Sequence, residues 1–397
     1  MTQVVETKVQ KEIGSKHLSL AGRLSLIKDI RAYTMIFALL AIWVYFAFAT
    51  DGAFLSSRNL SNLARQMAVT SILATGMVLV IVAGHIDLSV GSVVGLTGGV
   101  AAILHVWLGW GAVPAILVAL LLGLGIGLFQ GYWVAYQGVP AFIVTLSGMM
   151  AFRGILLGIA NGQTIAPLQD SFKNIGQGYL NEATGYALAA LAIAFTIAMM
   201  MKKRQARIKY GFEVSSLPME ALTITFYCAL IAVMVGIMNK YEGIPVPVLL
   251  VAVLVITFTF ITNKTRFGRQ IYAIGGNPEA ARFSGIDIKK RLLIIFVING
   301  LLAAIAGVVL TARLNAATIS AGQMYELDAI ASTVIGGTSL MGGVGSIPGA
   351  IVGALVMASL DNGMSMLNTE AFWQYIVKGF ILLIAVWMDI ASKKRVK

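Results

Sequence analysis

The residues of this chain best suited to chemistry are ionisable side chains that interrupt apolar stretches. Asp87 and Ser89 stand in GHIDLSVGS, Arg153 in SGMMAFRGILLG, Asp361 and Asn362 in SLDNG, and Lys378 in FWQYIVKG. Arg313, Glu326 and Asp328 are expected to cluster at the ends of two consecutive apolar runs. A charge in hydrocarbon is costly unless it meets a partner or water, so each should face protein or a hydrated path. Two uses are open to them: a polar pathway across a bilayer, or internal pairing that locks helix rotation. Asp361 and Lys378 fall at similar depth on neighbouring runs and are expected to pair.

Catalysis finds no support. The chain has no GxxxxGK[ST], HExxH, CxxC or GxSxG pattern, and its carboxylates are scattered. His17, His85 and His105 lack ligand spacing, and Cys228 is the single cysteine. No catalytic residue, metal site or cofactor is expected.

The elements that must position these residues are membrane helices. The 397 residues are 58% hydrophobic and only 12% charged, about half the roughly 25% charge of a soluble domain. Apolar runs of bilayer-spanning length recur throughout, which predicts an all-α, polytopic transmembrane bundle. Spans are expected near 33–50, 67–84, 88–108, 113–136, 142–160, 184–201, 219–238, 247–262, 292–313, 327–340, 347–366 and 372–390. The tenth is short and runs into GGTSLMGGVGS, which predicts a broken or re-entrant helix.

The net charge of +12 invites a nucleic-acid reading that the positions exclude. Most Lys and Arg lie in four blocks, 1–32, 202–209, 264–291 and 393–397, which alternate with pairs of apolar runs. That arrangement follows the positive-inside rule and forms no single binding face. It divides the chain into a cytoplasmic segment 1–32, a transmembrane domain 33–390 with a cytoplasmic loop 263–291, and a basic cytoplasmic tail 391–397.

A weak internal repeat aligns VGSVVGLTGG (90–99) with VGSIPGAIVG (344–353). Gly91, Gly95 and Gly99 in one copy, and Gly345, Gly349 and Gly353 in the other, recur every four residues and should form small faces for close helix packing. Gly123, Gly127 and Gly131 make a third such ridge.

The loop 264–291 carries seven Lys or Arg and two acids, Glu279 and Asp287. Its middle, Asn277, Pro278, Glu279, Ala280, Ala281, Arg282 through Gly285, predicts a short helix with Asn277 as N-cap, Pro278 at the first position and Gly285 as the stop. Such a capped helix can serve as a handle for a soluble partner; a plain topology signal would not need it.

These residues carry a resemblance. RFGRQIYAIGGNPEAARFSGI (266–286), NLARQMAVTSILATGMVLVIVAGHIDLSVGSVVGL (62–96), VPAFIVTLSGMMAFRGILLGIANG (139–162) and ELDAIASTVIGGTSLMGGVGSIPGAIVGAL (326–355) resemble permease subunits of bacterial ABC importers for monosaccharides, the ribose, xylose, arabinose and galactose group. Within it, ASLDNGMSM (358–366), FWQYIVKGFILLIAVWMD (372–389) and an extra pair of spans at 184–238 are most similar to D-xylose permeases. The resemblance implies the permease fold shared with vitamin B12 importers (type II) and residence in a bacterial inner membrane. It implies a permease homodimer, a separate cytoplasmic ATPase and an outer sugar-binding protein as partners, with Gly275–Gly285 as the ATPase-coupling element. A second class stays open: TRFGRQ (265–270) is similar to the DRxGRR loop of major-facilitator transporters, although Thr265 stands where that loop has aspartate.

Overall fold

The computed structural model describes residues 20–394 apart from 213 and 215. The expectations for residues 1–19 and for the last three residues of the basic tail therefore lie outside the described residues.

Fifteen described helices follow one another: α1 Leu20–Ala49, α2 Ser57–Val82, α3 Val90–Ala102, α4 Ala112–Ala135, α5 Ala141–Ile159, α6 Asp170–Gln177, α7 Glu182–Lys209, α8 Leu217–Asn239, α9 Val246–Lys264, α10 Arg266–Gly276, α11 Pro278–Phe283, α12 Ile288–Leu314, α13 Tyr325–Ile335, α14 Ile347–Met366 and α15 Ala371–Lys394. Their starts are written in local chemistry. The side chains of Ser56, Asn181, Thr265, Asn277, Asp287 and Ser346 each accept a backbone N–H of the following first turn, which otherwise has no partner. The only described sheet is a two-residue pair, Tyr179–Leu180 antiparallel to Ile244–Pro245, which ties the chain after α6 to the entry of α9.

Ten described helices are long and apolar enough to cross a membrane, and α1 adds the shorter apolar stretch Met35–Ala49. The chain is the expected polytopic helical bundle. Burial sorts its members. The most apolar window of α2 is 83% buried and that of α12 is 67%, whereas α7 and α8 each reach only 11%. With the α3 span at 72%, helices α2, α3 and α12 form the centre, and the extra pair α7–α8 lies at the edge, packed chiefly on itself. The centre closes through glycine. Gly123 and Gly127 of α4 meet the backbone around Gly300 and Phe296 of α12, and Gly98 of α3 meets Gly307. Without a hydrophobic drive between helices in lipid, such close backbone approach is what packing can exploit.

One boundary needs correction, and one expectation gains detail. The second span does not begin at 67: α2 starts ten residues earlier, because Ser56 caps it and Asn59 and Ser61 are buried by neighbouring segments despite their polarity. The tenth span is broken, as its length and glycines suggested, and no continuous helix covers 327–340. Helix α13 covers Tyr325–Ile335, roughly 16 Å at 1.5 Å per residue, about half of a bilayer core. The missing half is irregular chain. Ala317 pairs with Ile165 beside the end of α3, and five residues later Gly322 touches Gly91 at the start of α3. Residues 317–322 thus travel the length of α3 without helix, then α13 continues in the same sense. Irregular backbone at this depth survives because protein surrounds it.

Candidate functional site

Two helix N-termini meet inside the bundle. Helix α3 begins at Val90 and α13 at Tyr325, and Gly91 lies against both Gly322 and Glu326. Each helix start carries partial positive charge from unpaired N–H groups, so bringing two together calls for negative charge nearby. The sequence supplies it. Glu326 and Asp328 occupy the first turn of α13, and Asp87 immediately precedes α3. Asp87 is buried, and its Oδ1 accepts from the Ser89 amide at 2.8 Å and the Ser89 hydroxyl at 2.7 Å. Its Oδ2 accepts from Asn299 Nδ2 of α12 at 2.8 Å. Gln130 of α4 donates to Ser89 Oγ at 2.8 Å, and Thr145 of α5 accepts from the Leu88 amide at 3.1 Å. Asp87 thus sits in the turn between α2 and α3 and bonds α12 directly, while its neighbours Ser89 and Leu88 tie the same turn to α4 and α5.

Arg153 lies across from this junction on α5. Its Nη1 donates to the carbonyls of Ile319 at 3.0 Å and Ala321 at 3.1 Å. It satisfies acceptors that the non-helical segment cannot pair within itself, and it stands within electrostatic reach of Glu326. The expected cluster of Arg313, Glu326 and Asp328 separates. Glu326 faces Gly91, whereas Asp328 points the other way into an ionic triad: Lys378 Nζ lies 3.0 Å from Asp328 Oδ2 and 2.9 Å from Asp361 Oδ2. Asp361 and Lys378 are paired, with Asp328 as a third member. Asn362 serves elsewhere: its Oδ1 accepts from Asn59 Nδ2 of α2 at 2.9 Å.

The glycine repeat plays the same part twice, with one departure. Gly95 faces the Ala321 carbonyl and Gly99 the side chain of Leu156; Gly349 faces Gly336 and Gly353 faces Ser332. Gly345 precedes α14, whose cap is Ser346, and packs against Val82 and Thr338, so it is no part of a helical ridge.

At the end of the bundle away from α6, helices α10 and α11 form a projecting element with a fixed base. Ile271 of α10 is buried with Leu79 and Val82 of α2, Phe296 of α12 and Ile347 of α14, and Ile274, one turn on, is buried too. Gly275 sits directly against the Val82 carbonyl and Gly343, where any side chain would collide with backbone. The Gly343 amide donates to that same carbonyl at 2.9 Å. The Tyr272 hydroxyl donates to Gly345 O at 2.9 Å, and burial pushes its pKa up. Gly275 and Gly276 thus close α10 and belong to the base. The projecting part is α11: Asn277 Oδ1 accepts from the Ala280 amide at 3.0 Å, Gly285 turns the chain at φ 78°, and Ala281 alone is buried beneath. Glu279, Ala280 and Arg282 are exposed, and so is Phe283, at 88%. Phe283 was missed by sequence reasoning, although a large apolar residue in so charged a loop is itself a signal. Asn299, Gln130 and Thr145 were missed too; each is a polar residue inside an apolar run, the same sign that found Asp87.

Comparison with known proteins decides the family. Residues 59–386 match the family described as the permease component of the branched-chain amino acid transport system. The chain belongs to this permease family. It is 53% identical over 369 residues to the xylose transport system permease protein XylH of Escherichia coli K12, covering 92% of this chain and 93% of that protein. XylH of Haemophilus influenzae is 51% identical over 367 residues, covering 92% and 98%. The ribose import permease protein RbsC of Escherichia coli K12 is 35% identical over 336 residues, covering 85% and 87%. No solved structure matches the chain.

Proposed function

We propose that this chain is the membrane-spanning permease of a binding-protein-dependent ABC importer that carries a monosaccharide, D-xylose, across a bacterial inner membrane. One observation carries the sugar: identity of 51–53% to xylose permeases over nearly the whole of both chains, against 35% to a ribose permease. The family description names branched-chain amino acids, but relatives at this identity transport sugars. The chain itself is no enzyme; a separate ATPase subunit hydrolyses ATP.

Two permeases form the pathway in this reading, a partnership implied by family resemblance. Both termini and the basic blocks at 202–209 and 264–291 lie in the cytoplasm by the positive-inside rule. Helix α11 then faces the cytoplasm and docks on the ATPase through Glu279, Arg282 and Phe283. The α10 base passes its displacement to α2, α12 and α14 as a rigid body. The non-helical segment 315–324 before α13 and the Asp87 junction are the places where the pathway switches, since discontinuous helices near the midplane are where transporters build their sites.

In cells lacking other xylose transporters, the chain with its ATPase and binding protein should take up labelled D-xylose in preference to ribose and leucine. Preferred uptake of leucine would overturn the assignment.

A further inference from the structure

A polar cleft of about 470 Å³ opens at the end of the bundle opposite α11, within the ~300–1,000 Å³ typical of small-molecule sites. Its polar lining comes from four elements: Asn62, Arg65 and Gln66 on one face of α2, Gln177 closing α6, Arg313 near the end of α12, and Asn362 on α14. Several of these are held in place. The Arg65 guanidinium donates to Asn62 Oδ1 and lies 5.2 Å from the Tyr179 ring centroid. Gln177 Nε2 donates to the Arg313 carbonyl at 2.9 Å, and Asn362 Oδ1 is taken by Asn59.

What remains is a mixed set. The amide nitrogens of Asn62 and Asn362 are donors, Gln177 retains its oxygen as an acceptor, and Gln66 brings both. Arg65 and Arg313 also line the cleft, although the Nε of each is closed off from it. Hydroxyl groups donate and accept at once, so vicinal hydroxyls match such a set. An anion accepts only, and would leave the amide oxygens unmet. Among the described residues no carboxylate and no aromatic ring lines the cleft, and the nearby Tyr179 ring is covered by Arg65. It therefore lacks the stacking platform of a tight sugar site, and weak binding is what lets a solute leave inward. The cleft also adjoins the ionic triad: Asn362 follows Asp361, and Tyr325 lies within electrostatic reach of Arg313, Asp328, Asp361 and Lys378.

We infer that this cleft is a low-affinity subsite for a neutral monosaccharide at the entrance of the pathway. The inference rests on the sugar-permease reading above, and its test separates the two. In the whole importer in right-side-out vesicles, Gln66→Cys is introduced into a Cys228→Ser background, which removes the only native thiol. The rate of modification by a membrane-impermeant maleimide is then read. D-xylose should slow modification several-fold, with half-protection on the order of 1 mM or weaker, while a Lys240→Cys control reacts unchanged. No slowing in vesicles whose Cys228→Ser parent still imports D-xylose would overturn the subsite and leave the sugar reading intact. Equal slowing by acetate would show an anion site, and slowing only by added binding protein would show a docking face; either result overturns the inference. Protection by another monosaccharide, with no uptake of D-xylose by the parent, would uphold the subsite and correct the sugar.

Discussion

Lys378 of α15 lies 3.0 Å from Asp328 of α13, so the last helix is clamped to the half-helix of the broken segment. Asp361 of α14 completes the triad at 2.9 Å. One cation thus serves two carboxylates, and the three positions are not equivalent. Lys378→Met would strand both acids, and losing one partner of a buried pair costs about 3–5 kcal/mol. Asp361→Asn leaves the Lys378–Asp328 pair whole and should be the milder change. The double variant should recover only partly, because Asp328 stays unpaired; adding Asp328→Asn should restore most of the loss. Thermal melting of the detergent-purified chain checks the order. A Lys378→Met variant that melts with the wild type would remove the triad from any structural role.

The Asp87–Asn299 bond makes a second prediction. Asn299→Leu removes one of the donors that hold the buried Asp87 carboxylate and should destabilise by about 1–3 kcal/mol. Asn299→Asp should be worse, since it places a second acid against the first. The same melting assay distinguishes them, and equal melting of all three proteins would rule out a structural role for the bond.

Gly275 gives a prediction about transmission. A side chain there would strike the Val82 carbonyl and the Gly343 backbone, which displaces α10 from its base while leaving the exposed face of α11 unchanged. Gly275→Val should therefore still co-purify with the ATPase but lose most uptake. Full uptake would mean that the base carries no motion.

Sidedness is open to direct labelling. Cysteines at 173 and 240 should react with an impermeant reagent from outside, and cysteine at 279 only after the membrane is opened. Labelling of 279 from outside would invert the whole scheme.

Much of this was legible in the sequence because lipid imposes a simple code. Apolar runs gave the helices, and Asn277-Pro278 together with Gly285 gave α11, since capping is local chemistry. The pairing of Asp361 with Lys378 followed from depth alone. Asp328 as their third member did not, because Asp328 and Glu326 are only two residues apart and yet face opposite neighbours; that separation depends on how α13 is rotated against α3 and α15. The course of 315–324 was equally hidden. Its backbone is paired by Arg153 and Ile165, which are distant in sequence, and no local periodicity records such partners.

In this reading, transport through this chain is powered by a separate ATPase engaged by α11. The most direct measurement is D-xylose uptake by proteoliposomes holding the permease and its ATPase, with binding protein on one side and ATP on the other. Uptake should require ATP and all three components. It should fall to background in the combined Glu279→Arg and Phe283→Ala variant, whose yield and melting stay at wild-type values. Uptake by the permease alone, driven by a proton gradient and indifferent to those substitutions, would contradict the account and favour the secondary-transporter class.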